Sequence, residues 1–168
     1  MKLALMIIDM QKEFYVGKTL SQMDRATEYI NAVIPLFEAK NLPIIWVQDV
    51  DEEDGVVPGT NGFEFIDALT PPENAIRIHK HYGNSFNKTE CDKILKEHGI
   101  DTVVMTGFCA EYCVLSTYRG AKDLDYFPII LKNGIASTEE SYKEFVENIS
   151  ETITYGVLKK MLDSISTN

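Results

Sequence analysis

Leu3-Ala4-Leu5-Met6-Ile7-Ile8 is an apolar run with no polar alternation, the pattern of a strand covered on both faces. Runs of β-strand character recur at 43–48, 75–80, 101–106 and 127–131. Segments of helical period separate them. From Asp24 to Lys40, the residues Ala26, Tyr29, Ile30, Val33, Ile34 and Phe37 recur at helical spacing. Strands that alternate with helices are joined by crossovers, and crossovers leave the strands parallel. No other feature of the chain restricts its fold as strongly. It predicts an α/β architecture: a doubly wound sheet of about six mostly parallel strands with helices on both faces, forming a single domain over 1–168.

Local signals refine the pattern. Asp24 is placed to cap the first helix, and Asn41 followed by Leu42-Pro43 ends it. Residues 51–62 read as an acidic, Gly- and Pro-containing loop, and Gly62 to Leu69 as a short helix. Helical character returns from Thr89 to Glu97, stopping at Gly99, and again from about Tyr112 to Leu124. Ser137-Thr138-Glu139-Glu140 has the form of a capping box. A short strand near Ile153 and a helix through Leu162 complete the prediction.

Several function classes are disfavoured at once. No apolar run approaches the ~20 residues that cross a bilayer, so no membrane partner is expected. The first apolar run breaks at Asp9 and lacks the small-residue cleavage site of a signal peptide. Sixteen basic residues against twenty-six acidic ones leave a net charge of −10, which opposes a phosphate backbone, so no nucleic acid is expected either. Three cysteines without framework spacing predict free thiols and a reducing cytoplasm. The chain has no Walker loop, no GxGxxG after the first strand, no GxSxG elbow and no HExxH.

Doubly wound sheets carry their sites at the carboxyl ends of the strands. Here those ends are Asp9, Asp49, Lys80 and the segment from Gly107 to Cys113. Position alone leaves Asp9 readable as a helix cap or a surface carboxylate. With period 2, Lys80 continues the apolar face of Ile76 and Ile78, while His79 and His81 face the other way. A lysine on a buried face needs a partner, unless its ammonium snorkels past the strand end to water. Cys113 falls in the first turn of a helix that follows a strand and a Gly-containing turn. The positive helix end and a nearby lysine would lower its pKa and leave it partly thiolate, and free N–H groups at the same turn can hold an oxyanion. The plain alternative is an inert core cysteine. Cys109 and Cys113 have three residues between them, unlike a redox CxxC, and Cys91 reads as a helix residue without a chemical role.

Taken together, these residues resemble the isochorismatase-like cysteine hydrolases, a family that includes nicotinamidases and N-carbamoylsarcosine amidases. Ile7-Ile8-Asp9-Met10-Gln11 through Phe14 is similar to the first motif, an apolar strand ending in D-x-Q with a Phe soon after. Lys80 through Asn84-Ser85-Phe86, with Thr89 beyond, is similar to the second. Gly107 through Cys113-Val114, with Thr117 beyond, is similar to the third, G-x-x-x-x-x-C-V-x-x-T. The resemblance implies strand order 3-2-1-4-5-6, a catalytic triad of Asp9, Lys80 and Cys113, and a cis peptide between Phe108 and Cys109. It also implies an oxyanion hole from the N–H groups of Cys109 and Cys113, and a homo-oligomer. Phe14, Phe108 and Tyr112 are expected to wall a small substrate pocket.

Two departures bear on the substrate. Nicotinamidases follow their second strand with D-x-H and add another histidine to hold a metal. Here the stretch is Asp49-Val50-Asp51, and no histidine occurs between Asp49 and His79. No metal and no other cofactor are expected. Members that hydrolyse the vinyl ether isochorismate usually lack the cysteine, so Cys113 favours an amide or carbamoyl bond in a small molecule. Other readings remain: a nicotinamidase with an altered metal site, or a non-hydrolytic thiol redox or binding protein on the same fold.

Overall fold

The computed structural model describes residues 1–165; the expected domain runs three residues further, outside that range. In chain order the elements are β1 (Leu3–Ile8), α1 (Leu20–Glu38), β2 (Ile44–Asp49), β3 (Ile76–Lys80), α2 (Cys91–Glu97), β4 (Thr102–Gly107), α3 (Leu115–Asp123), β5 (Phe127–Ile135), α4 (Glu140–Ile149), β6 (Thr152–Ile153) and α5 (Tyr155–Ser164). Short 3-10 turns at Lys12–Phe14 and Gly17–Thr19 precede α1. A π-helical turn, Ala110–Val114, leads into α3.

All strand pairings are parallel, in the order β3-β2-β1-β4-β5-β6, as the alternation and the family resemblance together predict. β1 is buried from end to end because each face meets a helical layer. Leu3, Leu5 and Ile7 pack with Met23, Ile30 and Phe37 of α1 and Leu158 and Leu162 of α5. Ala4, Met6 and Ile8 pack with Leu95 of α2, Tyr118 of α3 and Val146 of α4. The unbroken apolar run therefore divides by parity into two cores.

The chain leaves β1 toward one side of the sheet and enters β4 on the other, which makes the β1/β4 boundary the topological switch point. Ile8 and Gly107 are register partners there. Gly107 has φ +115, and a Cβ on it would lie 2.0 Å from the Ile8 carbonyl oxygen. Only glycine lets the two strand ends approach this closely.

Four sequence expectations change. The segment from Gly62 to Leu69 is not a helix, because its backbone is spent elsewhere. Gln11 bridges Phe65, while Lys12 and Glu13 N–H donate to the Glu64 and Gly62 carbonyls and Ile66 N–H donates to that of Met10. α1 begins at Leu20, and Asp24 lies inside it, accepting from the Tyr15 hydroxyl at 2.5 Å. The π turn occupies the start of the helix expected from Tyr112. Before α4 the N-cap is Glu139, with no side-chain cap bond; the Ser137 hydroxyl, two residues back, accepts from the Glu139 N–H at 3.3 Å and donates to Glu111.

Gly107→Ala combines an unfavourable φ with a backbone clash. It should destabilise the fold by on the order of 3 kcal/mol, read as a lower urea midpoint at unchanged slope.

Candidate active site

Asp9 is the first residue beyond β1, with φ 50. Its N–H donates to the Val47 carbonyl at 3.0 Å, and the neighbouring Phe108 N–H donates to that of Ile8 at 2.8 Å. Left-handed backbone turns the chain sharply at the strand end, and Asp tolerates it better than most residues. The carboxylate enters the sheet's carboxyl edge and is 1% exposed.

Lys80, the last residue of β3, is fully buried. Period 2 puts it on the face of Ile78, as predicted, while His79 packs against the Phe63 ring on the other face. The ammonium does not snorkel to water. Nζ lies 2.8 Å from Asp9 Oδ2, 2.6 Å from Asp49 Oδ1 and 3.4 Å from Cys113 Sγ. Asp49 is the register partner of Lys80 across β2 and β3. The donor atoms of Asp9, Asp49 and Cys113 lie within 4.8 Å of one another, so one ammonium faces two carboxylates and a thiol.

Gln11 fixes the Asp49 end of this cluster. Its fully buried side chain donates from Nε2 to the Asp49 carbonyl at 3.0 Å and accepts from the Asp49 N–H at 2.7 Å. The glutamine thus continues the strand ladder with its side chain. A second latch holds Lys80 against the Cys113 helix. Thr117 Oγ1 lies 2.9 Å from Ser85 Oγ and accepts from the Ser85 N–H at 3.0 Å, and the Thr89 hydroxyl donates to the Ser85 carbonyl at 2.5 Å.

Burial pushes the Asp9 carboxyl up to about 6, with Lys80 opposing the rise. Burial also works against the Lys80 ammonium, but Asp9, Cys113 and Asp49 outweigh it and hold its pKa well above the usual lysine range. Burial, reinforced by Asp9, pushes the Cys113 thiol up to about 12 despite Lys80. This reverses the expectation of a partly ionised thiol: the lysine charge is already shared by two carboxylates, so the resting sulfur keeps its proton beside Asp9. Cys91 is buried and also raised to about 12 by burial. All three cysteines are free.

The Phe108–Cys109 peptide is cis, as the resemblance implies. Phe14 and Phe108 stack with centroids 5.4 Å apart. Tyr112 is 68% exposed and lines, with Tyr142 and Phe145, a concavity of about 590 Å³. Asp9, Asp49 and Cys113 are ligand types that accept a divalent ion, yet the donor set does not fit one, because the Lys80 ammonium already contacts all three. Asp51, where the nicotinamidase pattern has histidine, accepts from the Glu53 and Asp54 N–H groups at 2.9 and 3.1 Å and so braces its own loop.

The sequence brings out Asp9, Lys80 and Cys113, and the fold gathers them. It leaves Asp49 as a strand-end carboxylate without a role; the missing signal is the β2/β3 register.

An isochorismatase domain model matches residues 3–155, and the chain belongs to that family. An isochorismatase-like hydrolase from Alkaliphilus metalliredigens superposes with TM-score 0.87 at 28% identity, covering 96% of this chain and 99% of that one. N-carbamoylsarcosine amidase from Thermoplasma acidophilum gives TM-score 0.77 at 28% identity, covering 92% and 95%. A secreted isochorismatase effector of Verticillium dahliae is 30% identical over 140 residues, 80% of this chain and 73% of that protein.

Removing the shared ammonium leaves Asp9 and Asp49 facing each other without compensation. Lys80→Met should therefore cost roughly 3–5 kcal/mol in urea unfolding at pH 7, and Asp49→Asn in the same background should recover part of the loss.

Proposed function

We propose that the chain is a cysteine-dependent amidohydrolase that cleaves the C–N bond of a small amide or carbamoyl compound through a thioester. The observation that carries this reading is the Lys80 ammonium in contact with Asp9, Asp49 and the Cys113 sulfur together. Likeness to an N-carbamoylsarcosine amidase supports the bond type.

Asp9 accepts the thiol proton as Cys113 Sγ attacks the substrate carbonyl carbon, and the carbonyl π pair moves onto oxygen. Lys80 keeps its proton and steadies both the carboxylate and the forming negative charge. The N–H groups of Cys109 and Cys113 take the oxyanion. In support, no acceptor for the Cys109 N–H exists among the described residues. As the tetrahedral intermediate collapses, the C–N bond breaks and protonated Asp9 gives its proton to the leaving nitrogen. Asp9 then takes a proton from water, whose oxygen attacks the thioester; the C–S bond breaks, Asp9 returns the proton to the sulfur, and the acid and the thiol are released. Phe14 and Phe108 wall the small substrate, with Tyr112 at its outer edge.

A redox reading is weaker, because the Cys109 thiol donates to Glu111 Oε2 at 3.0 Å and not to Cys113. Three free thiols support work in a reducing compartment such as the cytoplasm. The exposed Tyr112, Tyr142, Phe145 and Ile149 support a homo-oligomer. Light scattering should give a mass above 19.0 kDa, and Phe145→Glu should lower it.

Hydrolysis of a panel of amides, ureides and carbamoyl compounds, nicotinamide included, is read as ammonia release. At least one should turn over, and Cys113→Ala should abolish it. Because Asp9 must be ionised to take the thiol proton, kcat/KM should rise through pH about 6 as Asp9 loses its proton. It should then stay level to at least pH ~9, since the Lys80 pKa lies above its ordinary value. A flat acid limb would exclude Asp9 as the base.

A further inference from the structure

Between β4 and the π turn, the backbone from Gly107 to Ala110 is stapled to the segment after β5. Ala110 N–H donates to the Ala136 carbonyl at 2.8 Å, and Ala136 N–H to that of Gly107 at 2.9 Å. The Cys109 carbonyl accepts from Tyr112 and Val114 N–H, both at 3.1 Å. The turn also offers a handle in the Cys109 side chain, which is 6% exposed.

That handle is gripped by Glu111. Its Oε2 accepts from the Cys109 thiol at 3.0 Å and from the Ser137 hydroxyl at 2.6 Å, while Oε1 accepts from the Thr138 hydroxyl at 3.3 Å. Ser137 is fully buried, and its N–H donates to Gln22 Oε1 on α1 at 3.1 Å. Burial and the Glu111 carboxylate both raise the Cys109 thiol well above its ordinary range, which keeps it a proton donor. A carboxylate can take three donors at once because each oxygen has two acceptor sites.

We propose that Glu111 is a positioning residue that clamps Cys109, and with it the oxyanion-facing N–H, against Ser137 and Thr138. The inference rests on the hydrolase reading, in which that N–H meets the tetrahedral oxyanion. Glutamine at 111 can keep its oxygen toward Cys109 and Ser137 and turn its amide to the Thr138 hydroxyl. Alanine cannot.

Two reactions of Cys113 separate the oxyanion hole from the thiol itself. Iodoacetamide forms a sulfur–carbon bond and expels iodide, with the thiol proton going to Asp9, and it needs no oxyanion. Propionaldehyde forms a hemithioacetal: sulfur bonds the carbonyl carbon, the thiol proton goes to Asp9, the π pair moves to oxygen, and the hole holds that oxygen. The propionaldehyde concentration that halves Cys113 alkylation is therefore the readout, and it requires no knowledge of the substrate.

In Glu111→Ala that concentration should rise at least about tenfold, against the ~10²–10³ lost when a hole donor is removed outright. Alkylation without aldehyde should stay within about twofold of wild type, and Glu111→Gln should recover most of the protection. For any amide the panel yields, kcat should fall by a similar factor with little change in KM. Equal protection of wild type and Glu111→Ala overturns this inference alone, as does an alkylation rate that falls in step with protection. A wild type that aldehyde does not protect overturns the hydrolase reading, and this inference with it. Should Glu111→Ala show no cooperative thermal transition, Ser137→Ala decides: weaker protection supports the clamp, and unchanged protection overturns it.

Discussion

The Lys80 ammonium is the interaction on which the rest of the site depends. It is fully buried and contacts Asp9, Asp49 and Cys113. A charge in that position costs free energy that its pairing offsets only if the geometry is held tightly. The surrounding structure supplies that geometry from three separate strand ends. β1 delivers Asp9, β2 delivers Asp49 and β3 delivers Lys80, while the π turn after β4 brings the sulfur. A well-packed apolar cluster at the same place would be equally stable or more so. Placing an ion cluster there is consistent with a site kept for chemistry.

Two kinds of tie hold these ends together, and both are hydrogen bonds in places where the sheet itself has run out. Gln11 extends the ladder by pairing its amide with the Asp49 backbone. Ser85 and Thr117 join the loop after Lys80 to the helix that follows Cys113. Gly107 permits the closest of these approaches, with the Ile8 carbonyl where a side chain would begin. The same motif residues that mark the family in sequence are therefore mostly scaffold for the cluster.

Electrostatics at the site run against simple addition. A helix start and a lysine beside a cysteine would each lower its pKa, and neither prevails here. Asp9 and Asp49 claim the lysine charge first, and exclusion of water penalises a bare thiolate. The result is a protonated thiol beside a carboxyl that is itself raised by burial. In the proposed mechanism Cys113 and Asp9 act as nucleophile and base, and the thiol proton passes to Asp9 as the sulfur attacks.

The sequence by itself determined the order of the strands and main helices along the chain, the parallel sheet, the buried face of Lys80 and the three motif residues. Apolar runs and helical spacing are local properties, and period 2 reads the same in a sequence as in a strand. Tertiary structure decided what depends on residues far apart in the chain. It paired Asp49 with Lys80 through the β2/β3 register. It unmade the helix expected at Gly62 to Leu69 by spending that backbone on residues 10–13. It moved the helix N-cap from Ser137 to Glu139 and engaged the Ser137 hydroxyl as a donor to Glu111, and it set the protonation of Cys113 by closing water out. Register, competition for backbone partners and solvent exclusion arise only when distant segments meet, so no local pattern could carry them.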